Sequence, residues 1–264
     1  MTTSDRMLSV LDLFDQSTPQ WSVEAAAAEL GLATSTAYRY FASLTAAGLL
    51  APFVSGRYIL GPTILRYDRQ LRLTDPLISA SSGQMRKLAR LEPNRSVVFL
   101  CRLLGGQVMC VHQVAEGEPT FAVGYERGRL MPLFAGSASK IILAHLPLRQ
   151  LRSLFARESE SFANAGLGKD WDTVRRTLRS IRSDGYAVTH GEVDRGMKGF
   201  SVPLPVENSA MLASLTIAGP ANRLPDDASD IFIPALHAAA ARIGKVLQKT
   251  IEAQASDEGT PPGP

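Results

Sequence analysis

Apolar residues in the first sixty positions recur every three or four residues in three short stretches, which predicts three helices. The third of these is predicted to begin with Thr34 as its N-cap and to end at Gly48. Its buried stripe is formed by apolar residues about one turn apart: Ala37, Phe41 and Leu44. Two alternating runs around Ser55-Gly56 then predict a β-hairpin. Two helices joined by a short turn and followed by a hairpin predict a winged helix-turn-helix domain over residues 1–61.

The rest of the chain first continues as one polar helix and then changes to a mixed pattern. An arginine at every third position predicts a linker helix over residues 62–75. Apolar strands and amphipathic helices follow, which predicts an α/β domain over residues 76–253. The expected strands cover 96–104, 107–114, 121–125, 186–189, 199–206 and 211–218, and the expected helices cover 77–91, 137–145, 148–156, 171–184 and 227–253. Residues 254–264 are polar and rich in Gly and Pro, which predicts a disordered tail. The predicted fold class is α+β.

The composition fits packed domains and excludes several classes of protein. With 264 residues, of which 45% are hydrophobic, the chain can build real cores and is neither fibrous nor wholly disordered. It has two cysteines, no charged-then-apolar start of the signal-peptide kind, and no apolar run near the roughly 20 residues that a membrane-spanning helix needs. We therefore expect a cytoplasmic protein that neither spans a membrane nor carries a cofactor.

The net charge of +3 does not by itself point to nucleic acid. Residues 1–61 carry three arginines against five acidic residues, a net charge of −2, so the positive excess lies beyond the helix-turn-helix. A case for DNA binding has to rest on the placement of particular side chains.

The face of the third helix opposite its apolar stripe has such a placement. Small hydroxyl residues near the helix start, together with one arginine, can enter a major groove and reach phosphates and base edges. Arg57, at the hairpin tip, can contact the phosphate backbone. The candidate DNA-binding residues are Thr34, Ser35, Thr36, Tyr38, Arg39, Ser43 and Arg57. The alternatives are a solvated helix face, in which the hydroxyl residues serve only as caps, and a winged helix that binds protein.

Several segments along nearly the whole chain resemble the IclR family of bacterial transcriptional regulators. They include GLATSTAYR, GRYILGP, FAGSASKIILAHL and DGYAVTHGEVDRG. The resemblance implies a winged-helix DNA-binding domain, a linker helix that also dimerises, and a GAF-like domain that binds a small organic effector. It also implies a homodimer or a dimer of dimers on double-stranded operator DNA.

The resemblance also implies which residues line the effector site: Val123, Met131, Ser137, Ala138, Thr189, Gly199, Thr216 and Ala218. A helix beginning near Ser137 would offer free backbone N–H groups to a carboxylate, and the hydroxyl residues would add polar contacts. Many members of the family carry a His where this chain has Phe134. The phenyl ring makes the expected mouth of the site more apolar, which favours an aromatic or larger acid.

Two motifs suggest chemistry other than ligand sensing. Ser137 and Lys140 form an S-x-x-K pair, the nucleophile motif of penicillin-recognising enzymes, but its companion S-D-N and K-T-G elements are incomplete. His190, Glu192 and Asp194 alternate at a strand end, where they could hold a metal, although a polar loop leaving the strand is the simpler interpretation.

The two cysteines form a third candidate feature. Cys101 and Cys110 are symmetric about Gly105-Gly106, so a two-residue turn places them opposite each other as a redox pair or as two small buried residues.

Taken together, the sequence predicts a ligand-responsive transcriptional regulator and not an enzyme.

Overall fold

The computed structural model describes residues 2–121, 124–204 and 211–258. The chain divides into two compact units, Met1–Asp75 and Pro76–Pro264, which are described separately below. None of the helices in the described residues combines the length and the apolar character that crossing a bilayer requires.

The first unit contains four helices and a small sheet. Its helices are α1 (Thr3–Leu8), α2 (Val23–Glu29), α3 (Thr34–Ala46) and α4 (Thr63–Thr74), and its strands are β1 (Trp21–Ser22), β2 (Leu50–Pro52) and β3 (Arg57–Leu60). The strands are antiparallel in the order β1-β3-β2. The hairpin of β2 and β3 is the predicted wing, and β1, which is only two residues long, was not predicted. This unit is a winged helix-turn-helix.

Helix α3 follows the predicted pattern except at its first residue. Ala37, Phe41 and Leu44 are each at most 2% exposed, which confirms the predicted stripe. The N-cap is Ala33 and not Thr34, because Ala33 has an extended backbone and its carbonyl accepts hydrogen bonds from the amides of residues 36 and 37. Thr34 is the first helical residue, so its hydroxyl is not used as a cap.

The second unit is built on one six-stranded antiparallel sheet with the order β6-β5-β4-β9-β8-β7. Its helices are α5 (Pro76–Ala89), α6 (Ser137–Ala144), α7 (Leu148–Asn164), α8 (Trp171–Asp184) and α9 (Ala228–Glu258). Its strands are β4 (Val97–Leu104), β5 (Gln107–Ala115), β6 (Leu130–Met131), β7 (Ala187–His190), β8 (Met197–Leu204) and β9 (Ala213–Pro220). The two units together confirm the α+β fold class.

Both faces of this sheet are buried. Val98 and Leu100 of β4 pack with α5 and α9 on one face, whereas their neighbours Phe99 and Cys101 pack with α6, α7 and α8 on the other. The two-residue period of β4 therefore supplies two separate cores. Cys101 pairs with Cys110 across the hairpin, as predicted, and both thiols are free.

Three predicted elements in this unit differ from the structure by more than two residues, and β6 was not predicted. The segment expected as a strand over 121–125 is not one at its described positions, where the amide of Gly124 donates to the Asp194 carboxylate instead of to a neighbouring strand. Helix α7 runs past residue 156 to Asn164, and α9 runs past 253 to Glu258. The first five residues of the segment predicted as a disordered tail are thus helical, and residues 259–264 lie outside the described residues.

The C-terminal half of α7 is polar in sequence and is held by one aromatic side chain, Phe162. Phe162 is fully buried, with its ring 4.8 Å from that of Phe134 and 5.4 Å from that of Phe155, measured between centroids. The sequence pattern missed this half-helix because a single apolar residue after a run of charged and serine residues produces no periodicity.

We predict that Phe162→Ala lowers the free energy of unfolding of the second unit by roughly 3–5 kcal/mol, because it leaves a cavity between two other rings. Urea denaturation followed by circular dichroism measures the change. Leu148→Ala, at a 59% exposed position on the same helix, is the control and should cost less than about 1 kcal/mol. Equal effects of the two substitutions would contradict the packing described here.

Candidate functional site

The outer face of α3 presents the polar side chains that the sequence singled out. Ser35, Arg39 and Ser43 are exposed, Thr36 is half-buried, and the ring of Tyr38 is 52% exposed. They occupy the side of the helix opposite the buried stripe, so they are available to a partner. Thr34 is exposed at the first residue of the helix, and Arg57 is exposed at the first residue of β3, directly after the wing turn.

Tyr38 is tied to the preceding helix. Its hydroxyl donates a 2.5 Å hydrogen bond to Oε1 of Glu24, in the first turn of α2. The bond stabilises the carboxylate and lowers the pKa of Glu24, and for the same reason it raises the pKa of Tyr38. Glu24 thus adds a negative charge beside the candidate DNA-binding residues, which the sequence pattern did not indicate.

In the second unit, a small cavity lies at the N-terminus of α6, between that helix, strands β7 to β9 and loop 191–196. Its volume is about 40 Å³. Of the eight residues expected to line an effector site, five line this cavity: Ser137, Thr189, Gly199, Thr216 and Ala218. Met131 pairs with Val108 in the sheet, and the carbonyl of Ala138 accepts a bond from Ser214, so these two belong to the surrounding core. Val123 lies outside the described residues.

The cavity floor is a chain of buried hydroxyl groups. The Ser201 hydroxyl donates to Ser137 Oγ at 2.8 Å and lies 2.7 Å from Thr216 Oγ1. Ser201 was not predicted, although it is two residues from Gly199 on β8 and therefore points to the same face of the sheet. We call Ser137, Ser201 and Thr216 the hydroxyl chain. Because each hydroxyl has a partner, the chain can remain inside the protein without an unsatisfied polar group.

Gly136 makes the close approach of α6 to its neighbours possible. Its φ is 83°, in the left-handed region, and a Cβ built on it would lie 2.7 Å from the Tyr125 hydroxyl and 2.9 Å from Val193. Tyr125 donates to the carbonyl of Ala135 and contacts Ser139 Oγ, both at 2.9 Å. Burial raises the pKa of Tyr125, so its hydroxyl stays neutral as a fixed part of the wall.

Loop 191–196 closes the cavity with two carboxylates. Glu192 accepts hydrogen bonds from Lys140 Nζ at 2.6 Å and from the amide of Gly136 at 3.0 Å, while Asp194 accepts one from the amide of Gly124. His190 is exposed at the end of β7. Across the part of the chain that the structure describes, no three His, Cys, Asp or Glu side chains are grouped so as to hold a metal.

The same contacts argue against the S-x-x-K motif as a catalytic pair. Lys140 Nζ donates to Glu192 and to the carbonyl of Ala165, whereas a lysine that activates a serine has to be hydrogen-bonded to the serine hydroxyl. Ser137 is itself only 3% exposed and accepts its hydrogen bond from Ser201.

The expectation for Phe134 was wrong. Its ring packs edge-on against Phe162, in the core between α6, α7 and α8, and it does not line the cavity. The aromatic walls of the cavity are Phe99 and Tyr125 instead. The segment that carries Phe134 turns this side chain towards Phe162 of α7 and not into the cavity, a direction that sequence spacing does not reveal.

Two family models match the chain. The model described as "IclR helix-turn-helix domain" matches residues 3–52, and the one described as "Bacterial transcriptional regulator IclR C-terminal" matches residues 73–245. The chain belongs to the IclR family.

Relatives within the IclR family cover almost all of the chain. The HTH-type transcriptional regulator KipR of Bacillus subtilis is 22% identical over 245 residues, which are 93% of this chain and 96% of that protein. The crystal structure of an IclR family transcriptional regulator from Brucella abortus is 24% identical, with a TM-score of 0.75 over 93% of this chain and 92% of that chain. An IclR homologue from Microbacterium hydrocarbonoxydans, crystallised with 4-hydroxybenzoate, is 20% identical, with a TM-score of 0.71 over 94% of this chain and 100% of that chain. KipR and the Brucella protein are regulators by name, and the two solved structures share the fold of this chain.

We predict that Tyr38→Phe raises the pKa of Glu24 towards its ordinary value, because the substitution removes the hydrogen bond that favours the carboxylate. An NMR pH titration of the Glu24 side chain measures this. A lowered folded-state pKa stabilises the folded protein above the unfolded pKa, and the contribution is lost as the pH falls through the folded pKa. The stability difference between wild type and variant should therefore vanish on acidification.

Asp15 is the control for this titration, because its pKa is lowered by hydrogen bonds from Ser17 and Thr18 and should not respond to the substitution. A Glu24 titration that is the same in both proteins would show that the Tyr38 bond does not form in solution.

Proposed function

We propose that this member of the IclR family is a ligand-responsive transcriptional regulator that binds operator DNA through α3 and the wing. The observation that carries the proposal is the outer face of α3, where Ser35, Arg39 and Ser43 are exposed on a rigid helix of a winged helix-turn-helix. Side chains of these types on the outer face of a recognition helix contact phosphates and base edges in the major groove. Thr34, Thr36 and Tyr38 flank this face, and Arg57 would add a backbone contact from the wing.

The charge of the first unit implies that more than one copy of the chain binds the operator. Because the helix-turn-helix residues 1–61 carry a net charge of −2, a single copy gains little from general electrostatic attraction. Two copies on a pseudo-palindromic operator would double the placed arginines. Three leucines of α4 support a homodimer, since each is more than half exposed: Leu65, Leu71 and Leu73.

The cavity at α6 is the proposed effector site. Its hydroxyl chain, the half-buried Thr189 and the N-terminus of α6 suit a small organic acid, and Phe99 and Tyr125 suit an aromatic one. The relative crystallised with 4-hydroxybenzoate supports this class of ligand. An effector that binds one arrangement of the dimer better than another would shift the population towards it and so change the affinity for DNA.

We predict that Arg39→Ala weakens binding to the intergenic DNA upstream of the gene by at least about tenfold, because each subunit loses a charge-assisted contact. Gel shifts over a range of salt concentrations measure the affinity. If Arg39 contacts a phosphate, its loss also reduces the salt dependence of binding by about one ion per arginine removed. If it contacts a base, its loss relaxes the sequence preference.

Arg149→Ala is the matched control, because Arg149 is an exposed arginine of the second unit. Unchanged binding by the Arg39 variant would contradict its role. Failure of the wild-type protein to bind any operator sequence would favour a winged helix that binds protein, in line with the acidic charge of residues 1–61.

We predict that a panel of small carboxylic acids that includes 4-hydroxybenzoate contains a ligand that raises the melting temperature of the protein. Thr189→Val should lower the affinity for that ligand roughly tenfold, because valine keeps the shape of the side chain and removes one hydrogen-bonding group. Thr177→Val, which does not line the cavity, is the control. No stabilisation by any acid in the panel would contradict the proposed effector class.

A further inference from the structure

Lys140 and Gly136 bind both oxygens of one carboxylate. Lys140 is 9% exposed as a residue and lies in the first turn of α6. Its ammonium group donates to Glu192 Oε1 at 2.6 Å, and the amide of Gly136 donates to Glu192 Oε2 at 3.0 Å. A buried cation and a backbone amide at a helix N-terminus form an arrangement that recognises carboxylates in general and not glutamate alone.

The carboxylate in this site comes from the loop that closes the cavity. Glu192 and Val193 both belong to loop 191–196 and both line the cavity. The cavity volume of about 40 Å³ is far below the roughly 300 Å³ of a typical ligand pocket, so an aromatic or larger acid needs the loop to move. Glu192, whose side chain is 31% exposed, is the more accessible partner of the ion pair, because the Lys140 side chain is 11% exposed.

Moving the loop leaves Lys140 as a buried charge without its counter-ion. Among the described residues, Lys140 Nζ also donates a hydrogen bond to the carbonyl of Ala165, 3.1 Å away. A neutral carbonyl does not neutralise an ammonium group. Removing one partner of a buried ion pair is strongly unfavourable unless another anion replaces it. A ligand with a carboxylate can restore the pair, whereas a neutral ligand of the same shape cannot.

We propose that Lys140 and the Gly136 amide form a binding site for free carboxylates, that Glu192 occupies it in the ligand-free protein, and that an effector acid enters by exchanging its carboxylate for that of Glu192. The charge in the site is the same before and after the exchange, and no covalent bond changes. This inference rests on the proposed effector site. It adds that the ligand enters by displacing Glu192 and that the ligand must carry a carboxylate.

Acetate tests the site directly, because Glu192→Ala removes Cγ, Cδ and the two carboxylate oxygens, which are the heavy atoms of acetate. We expect the substitution to lower the melting temperature by roughly 5 °C, since it leaves Lys140 unpaired. Sodium acetate should then raise it saturably by roughly 3 °C relative to sodium chloride of equal ionic strength. Acetamide, which has the same shape without the charge, should have no such effect.

Three further proteins serve as controls. Glu192→Ala with Lys140→Met should lose the acetate response, whereas Glu192→Ala with Lys198→Met should keep it, because Lys198 lines the cavity but its ammonium group lies over the Phe200 ring. Glu118→Ala, at an exposed glutamate, should show no response. If the Glu192→Ala chain does not fold in chloride, the yield of folded protein after refolding in acetate, compared with acetamide, is the measurement.

The exchange is overturned if Glu192→Ala shows no acetate response. It is also overturned if the response persists in the double variant Glu192→Ala with Lys140→Met. A response that is lost with Lys198→Met moves the carboxylate site to that lysine and overturns it as well. The acetate measurement uses neither DNA nor effector. A negative acetate result therefore does not affect the conclusion on operator binding, and a negative operator-binding result does not affect the conclusion on the carboxylate site.

Discussion

Burial of both faces of one antiparallel sheet constrains everything else in the second unit. Antiparallel sheets commonly leave one face in water, but here α5 and α9 cover one face and α6, α7 and α8 cover the other. Any polar side chain that points from a central strand therefore has to find its partner inside the protein. The hydroxyl chain meets this requirement, because Ser201 lies directly across from Thr216 and also donates to Ser137.

The candidate effector site follows from that requirement. On β8 and β9, large apolar residues such as Phe200, Leu215 and Ile217 face α5 and α9. The residues nearest the start of α6 on the other face are small or carry hydroxyl groups: Gly199, Ser201, Thr216 and Ala218. A Cβ on Gly199 would lie 2.7 Å from Ser137 Oγ, so a larger residue there would push α6 away from the sheet. The small residues thus keep a polar space open beneath the helix N-terminus. Lys140 and Glu192 place an ion pair at its edge, and the loop that carries Glu192 decides whether the space is open.

The first unit shows why overall charge is a poor guide to DNA binding. Its helix-turn-helix residues are net acidic, and one of the acids, Glu24, lies beside the candidate contacts because it is bonded to Tyr38. Affinity for DNA in such a domain depends on the placement of a few cations and on the number of copies that bind together.

The sequence by itself determined the local features of this protein. The buried stripe of α3, the bounds of α8 and the pairing of Cys101 with Cys110 follow from periodicity and turn chemistry, which act over a few residues. Only the tertiary structure decided the partners of Ser201, Glu192 and Phe134. Periodicity indicates which face of an element is buried, but not which distant segment covers it. The site depends on contacts between residues that lie more than fifty positions apart, such as Gly136 with Glu192 and Ser137 with Ser201, and these form only when the sheet brings its strands together.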